Sequence, residues 1–414
     1  MLLVPEASAQ DDIQSNAAIV TMEDAIARVL NAAPMIEASK EAVHASEGVL
    51  RQARVRPNPE LSWEAADIIG SGPFEGIDRA EITLGIEQRI ERGGKRNARI
   101  GLAAADRDLS ALSAVATHAD AIYLTRQAYI DAAAALATMR NAALRVEVTR
   151  ALATEVKQRV QSARDSLAAA ERAETRALEA EMALAQADQA FSLAKKRLAG
   201  LWGAITDDFA IDTTLLFAVH PVDEAGLTAR REAALDLTIA KTRMERATAA
   251  LTLEQANAKQ DPRIKLGVRR FQLSDDIAGV VSFSMPLALF NTNRGNIARA
   301  AAEQRQAEWL AREVKQRFDR DFASYVTALR AAFDEAMAYR SKILPTAQAA
   351  LQETRHGYGR GAFSYLEVLD AQRALQDISA REILALKRFH LANAALERLL
   401  ASSSGTFPDQ ENTQ

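Results

Sequence analysis

Glu367 and Asp370 stand three residues apart, so a helix would carry both carboxylates on one face. Acids placed in this way attract cations, and several copies gathered about an axis would raise one another's pKa by repulsion. A solvated charged face is the ordinary alternative for such a pair. Just upstream, Gly357, Gly359 and Gly361 surround Tyr358 and precede Ser364, a pattern that reads as a turn between two helices. Other chemistry is thin. The five histidines, His44, His118, His220, His356 and His390, are far apart and show no metal-ligand spacing. There is no cysteine, hence no disulfide, thiolate ligand or thiol nucleophile. Gly93-Gly94-Lys95 is followed by Arg96 where a phosphate-binding loop needs Ser or Thr, so it reads as a turn before a helix. No serine, histidine and acid set converges. The expectation is a protein that is not an enzyme, with no catalytic residue, cofactor or bound metal.

The elements that would position the acidic pair are long. The chain has 414 residues and a formal net charge of −4, which leaves no basic footprint for nucleic acid. Aromatic residues are 5% of the chain and alanine is abundant, a composition suited to long, closely packed helices. No run of 18 apolar residues offers a transmembrane helix, so a membrane role would require strands. At the N-terminus Ala7-Ser8-Ala9 fits a signal-peptidase site with cleavage before Gln10, the remnant of an export signal; a disordered start is the alternative.

One plan occurs twice. Pro57-Asn58-Pro59 and Asp261-Pro262 each break a helical pattern, at an offset of about 200 residues. Two alternating segments follow each break. A polar turn then leads into a helix, through Gly93 to Arg99 in the first half and Asn293 to Arg299 in the second. From Asn97 to about Gln161 nothing interrupts the helix, which at 1.5 Å per residue runs for roughly 95 Å. Leu102, Leu109, Ala116, Tyr123, Ile130, Ala137, Leu144 and Ala151 step by seven along it. In the second half Phe318, Tyr325, Ala332 and Tyr339 form one such seam, and Phe322, Leu329, Ala336 and Ile343 an adjacent one. Two seams on one helix imply neighbours on both sides. Pro345 should kink the second helix.

The strand segments alternate. Ile82, Leu84, Ile86 and Ile90 point one way, while Glu81, Thr83, Glu87 and Arg89 point the other. Leu61, Trp63 and Ala65, then Ile264, Leu266 and Val268, supply partners, and Ile277, Val281, Phe283 and Met285 continue the apolar set. Segments of about ten residues with one apolar face suit tilted membrane strands, but half-buried soluble strands alternate too. Four strands cannot close a membrane barrel, so membrane strands would need several chains; three would supply twelve.

Over about Thr21 to Leu400 the chain resembles the TolC family of outer-membrane factors. The resemblance rests on Thr21-Met22-Glu23-Asp24-Ala25 with Asn31-Ala32-Ala33-Pro34, on Gln52 to Leu61 around Pro57-Asn58-Pro59, and on His356 to Arg373. It implies a mainly α fold with a small β part. Tandem-duplicated helical hairpins would form a trimeric α-barrel, and four strands per chain a 12-stranded transmembrane β-barrel. The implied division is an export-signal remnant at 1–9, periplasmic helices at 10–56, a barrel hairpin at 57–92 and a long helical hairpin at 93–203. An equatorial connection at 204–230, a helix at 231–259, a second barrel hairpin at 260–290, a second helical hairpin at 291–403 and a disordered tail at 404–414 complete it. Implied partners are two further copies of the chain, a periplasmic adaptor (membrane fusion) protein, an inner-membrane RND-type pump and outer-membrane lipid. The proline-rich entry at residues 57–59 and the Gly94-Lys95-Arg96 exit look most like the heavy-metal branch of the family.

By the same resemblance Glu367 and Asp370 match acids that line the closed periplasmic aperture, six carboxylates in a trimer. Tyr358 matches a tyrosine that links the closed helices; the arginine expected five positions later is replaced by Phe363. Gly357, Gly359, Gly361 and Ser364, with Ser162, Asp165 and Ser166 of the first hairpin, would form the tip that meets the adaptor. The first tip lacks the family's usual glycine. A periplasmic helical-hairpin adaptor or scaffold without a barrel is the competing reading.

Overall fold

The computed structural model describes residues 18–204 and 208–403. The expected signal remnant, the tail at 404–414 and part of the connection at 204–230 therefore lie outside the described residues. In chain order the elements are β1 (Ile19–Val20), α1 (Met22–Ala32), α2 (Pro34–Ala53), β2 (Glu60–Ala66), β3 (Glu81–Arg89), α3 (Lys95–Gln161), α4 (Leu167–Gly200), β4 (Ala210–Ile211), α5 (Thr214–Phe217), α6 (Glu224–Ala229), α7 (Leu235–Asn257), β5 (Arg263–Phe271), β6 (Ile277–Ser284), α8 (Arg294–Ala338), α9 (Leu344–Gly359) and α10 (Tyr365–Leu399). The fold is mainly α with a small β part, and helix pair, hairpin, long helices recur in the second half.

The chain forms two compact units. One holds residues 39–114 and 236–316, and contains the four-stranded sheet. Its order is β2-β3-β5-β6, antiparallel throughout, so the two hairpins lie side by side through the β3–β5 pair. The register aligns Leu61, Ile86, Leu266 and Val281 in one row, and Trp63, Leu84 and Val268 in the next. These apolar side chains are exposed. The other face carries Glu87 opposite Lys265, and Thr83 opposite Arg269. β2 and β6 each keep one edge without a partner strand among the described residues. The strands are shorter than the ten residues expected, seven to nine each. At the foot of the sheet, Lys95 Nζ holds Asp261 at 2.8 Å and Arg99 pairs with Glu91 at 2.6 Å. Arg99 also donates to the carbonyls of Ala53 and Val55, which ties the turn after β3 to the end of α2.

The second unit holds residues up to Ala38, Val115–Leu235, and Arg317 onward. Its core is built largely from alanines of α3, Ala132, Ala133, Ala134 and Ala137, packed with Leu136, Leu198 and Leu386. Small side chains let these helices approach closely. Tyr129 of α3 is buried, and its hydroxyl lies 3.0 Å from the carbonyls of Val20 and Asp212, beside the parallel β1–β4 pair. Burial pushes that phenol up to about 12.

The seven-residue seam of α3 holds only in part. Ile130 and Ala137 are buried, but Leu144 is 61% exposed and Ala151 is also exposed. Val146, Thr149, Leu152, Ala153 and Val156 are buried instead. A straight helix drifts about 20° per heptad against a strict seven-residue repeat, so by the far end the buried face has moved round. In α8, Phe318, Phe322, Leu329, Ala332 and Ala336 are buried as both seams require, whereas Ile343 is exposed. The interruption expected at Pro345 takes a specific form. A π-helical turn, Tyr339–Ile343, separates α8 from α9, and Pro345, which has no N–H to give to the helix, is the second residue of α9.

His390 on α10 is buried, with its Nε2 donating to the Leu216 carbonyl at 3.0 Å. Burial lowers its pKa from 6.5, and His220 adds to that direction. A depressed folded-state pKa means that the stability contribution is full above about 6.5 and is lost as pH falls towards the folded value. His390→Gln is therefore expected to flatten the fall in thermal stability between about pH 6.5 and pH 5, measured by circular dichroism melts; an unchanged slope would assign the fall to other groups.

Candidate functional site

The two helical hairpins end at tips, and the tips meet. In the first, α3 stops at Gln161 and α4 begins at Leu167 with Ser166 as its cap, the Ser166 hydroxyl accepting from the Ala169 N–H at 3.2 Å. The turn between them needs a left-handed residue, and with no glycine available Ala163 takes it, at φ 55°. Its amide donates to the Val160 carbonyl at 3.0 Å, and the Arg164 amide donates to the Arg159 carbonyl at 2.8 Å, a Schellman-type closure. A Cβ in this conformation is strained, so Ala163→Gly is expected to stabilise the protein by about 0.5–1 kcal/mol in denaturant titrations. Ser162 serves the same helix end, its hydroxyl donating to the Gln158 carbonyl at 3.0 Å.

The second tip turns between Gly359 and Tyr365. Gly361 adopts φ 79°, and its N–H donates to the Tyr358 carbonyl at 2.9 Å. Gly357 is required for a different reason: a Cβ there would lie 2.1 Å from the Phe363 ring, which packs onto the bare helix backbone. Gly359 has open space around it, so nothing steric demands glycine. Ser364 caps α10 in a capping box. Its hydroxyl accepts from the Glu367 N–H at 3.4 Å, and its own N–H donates to Glu367 Oε2 at 2.6 Å.

That box changes the reading of Glu367. Within one chain the backbone N–H and hydroxyl of Ser364 hold its pKa below the usual value; the repulsion expected of six gathered carboxylates belongs to a trimer. The carboxylate is exposed and already committed to the helix end. Asp370 is exposed as well, with Arg373 at 4.0 Å on the same face. The spacing thus brings Glu367 and Asp370 to one helix surface.

What joins the tips is a cluster only partly visible beforehand. Tyr358 is 2% exposed, and its hydroxyl donates to Asp165 Oδ2 at 2.7 Å. Arg159 Nε donates to the same oxygen at 2.8 Å, while its guanidinium lies 4.3 Å from the Tyr358 ring centroid. Burial and the Asp165 carboxylate drive the phenol pKa far upward, so the tyrosine stays a proton donor. Tyr365, Val368 and Leu369 of α10 close over the cluster, with Leu152 and Val156 of α3. Position 363 holds no arginine, yet the cluster contains one: Arg159, from the other hairpin. Nothing in its local sequence marks it, because its partner Tyr358 is 199 residues away.

Among the described residues no group of three His, Cys, Asp or Glu is placed to hold a metal ion, and no helix is long and apolar enough to cross a membrane. His356 lies on the surface of α9, its Nδ1 3.0 Å from the Gln352 carbonyl.

Duplicated helical hairpins, an amphipathic four-stranded sheet and coupled hairpin tips define a protein of the outer-membrane channel class. The chain belongs to the outer membrane efflux protein family, which matches residues 25–204 and 229–402, one stretch for each half of the duplication. It is accordingly an efflux channel component of the Gram-negative outer membrane with a large periplasmic part. The cobalt-zinc-cadmium resistance protein CzcC of Cupriavidus metallidurans is 26% identical over 385 residues, covering 92% of this chain and 90% of CzcC. The nickel-cobalt-cadmium resistance protein NccC of Alcaligenes xylosoxydans xylosoxydans is 29% identical over 286 residues, covering 68% of this chain and 63% of NccC. Among solved structures, the outer membrane protein VceC of Vibrio cholerae superposes with a TM-score of 0.75 at 20% identity, covering 92% of this chain and 96% of VceC.

Proposed function

We propose that three copies of this chain close a passive duct through which a tripartite efflux system exports metal cations. The observation that carries this reading is the sheet: four strands, one apolar face exposed, and, among the described residues, a free edge on both β2 and β6. In lipid such edges would leave backbone groups unsatisfied at several kcal/mol each. Edge pairing among three copies satisfies them and yields twelve strands with the apolar rows towards lipid. The names of CzcC and NccC support metal cations as the cargo. A periplasmic adaptor would dock at the tips, around Gly357, Gly359, Gly361, Ser364, Ser162, Asp165 and Ser166, and an inner-membrane RND-type pump would supply the energy.

In this reading Tyr358, Asp165 and Arg159 are the clasp that holds the periplasmic end shut, and Glu367 and Asp370 face the aperture that opens when it releases. The arrangement keeps the clasp within one chain, since all three side chains belong to the same protomer. The test is the mass of membrane-extracted protein in detergent, followed by zinc, cobalt and cadmium sensitivity of a host lacking the gene. A trimer whose loss sensitises the host fits the proposal. A monomer that needs no detergent would return the hairpins to the scaffold reading.

A further inference from the structure

The polar face of the sheet carries its charge in stripes. The acids Glu60, Glu64, Glu81 and Glu87 stand on β2 and β3, with Arg89 the one base at the end of β3, and the bases Arg263, Lys265 and Arg269 stand on β5. Each β5 base reaches sideways to an acid: Arg263 to Glu87 at 3.0 Å, Lys265 to Glu64 at 3.3 Å, Arg269 to Glu81 at 2.7 Å. The middle pair spans β3, which lies between its strands, as does the longer contact of Arg263 with Glu60 at 3.7 Å. Lys265 crosses β3 over Gly85. A Cβ on Gly85 would lie 3.0 Å from the Lys265 Cε, so the lysine stem rests in the space a side chain would fill. The neighbouring Gly267 keeps this region bare on β5, where a Cβ would lie 2.6 Å from the Leu84 carbonyl oxygen. The result is asymmetric: the Lys265 side chain is 14% exposed and Glu64 is 58% exposed. The lysine lies flat on the wall, and the glutamate stands off it.

We propose that Lys265, laid through the Gly85 notch onto Glu64, is a selectivity-setting residue of the channel: it cancels the acidic stripe at the middle of the barrel wall while leaving the lumen clear. This rests on the reading above, in which three sheets close a barrel with their polar faces inward. A long cation projecting from the wall would narrow the lumen and repel cations. The same cation folded against the wall neutralises Glu64 without obstructing the path. With Lys265 in place the three sheets present paired charge at this level; without it they present a ring of three unbalanced carboxylates, the arrangement that favours cations in pores.

The experiment is the zero-current potential of the purified channel in planar bilayers across a KCl gradient. Wild type, Lys265→Met, Glu64→Gln and the double variant are compared. Lys265→Met is expected to raise the potassium-to-chloride permeability ratio by at least about twofold, Glu64→Gln to lower it, and the double variant to lie near wild type. Glu64 is on the exposed edge strand, so its substitution keeps the test open should Lys265→Met fail to assemble. Conducting variants with the wild-type ratio would overturn the proposal, leaving the pair a purely structural brace. Wild-type protein that is monomeric and gives no channel steps would overturn the barrel reading itself, and this proposal with it.

Discussion

Asp165→Ala is expected to open the channel. Asp165 Oδ2 accepts from both Tyr358 and Arg159, and the three side chains are largely shielded from water. Hydrogen bonds to a charged group contribute about 1.5–3 kcal/mol each, and removing the acceptor also leaves the Arg159 guanidinium without its carboxylate. A loss of about 3 kcal/mol per chain corresponds to more than a hundredfold shift in the clasped-to-free ratio. Single-channel recordings should therefore show the conductance of Asp165→Ala several times that of wild type at the same salt. Tyr358→Phe, which removes one donor and keeps the ring beneath Arg159, should give an intermediate increase. If both variants conduct like wild type, the cluster braces the tips without gating them.

The second large effect belongs to the apolar face of the sheet. Leu84 sits in the central row of that face, flanked by Trp63 and Val268. An arginine at a lipid-facing strand position near the bilayer midplane costs about 2–4 kcal/mol, and a trimer would bear that cost three times. Leu84→Arg should reduce the heat-resistant trimer recovered from outer membranes by more than tenfold, read on unheated gels. Ser282→Arg, on the opposite face of β6, is the control, and should assemble to within about twofold of wild type. Equal losses for both would mean that the two faces are not divided between lipid and water.

The sequence made the long helices legible, because alanine-rich runs without a breaker leave few alternatives, and it made the strands legible through alternation. It did not reveal that β3 and β5 pair, since two amphipathic hairpins offer the same pattern in either order. The drift of the buried face along α3 was also hidden: a list of residues at sevens presumes the supercoil that keeps them in line. At the tips one signal stood in plain view. Ser364-Tyr365-Leu366-Glu367 is a capping-box pattern, and it predicts that Glu367 binds the end of its own helix. Arg159 offered no comparable signal. Its role depends on two hairpins meeting, and no pattern within one hairpin encodes that.

The π turn at Tyr339–Ile343 amounts to one residue added to a helix. One residue is about 100° of rotation, so everything from Leu344 onward faces a direction that an unbroken helix would not give it. Tyr358 lies on that rotated stretch. The single extra position acts as a frameshift in space, setting which side of α9 is offered to Asp165. Deleting any one residue of the turn would leave every side chain of the clasp present and aim the tyrosine about a quarter-turn away from its partner. The two halves of the duplication are for this reason no longer interchangeable: α3 in the first half runs to its tip as one continuous helix, and a chain built from two first halves would have nothing to bring its second tip round.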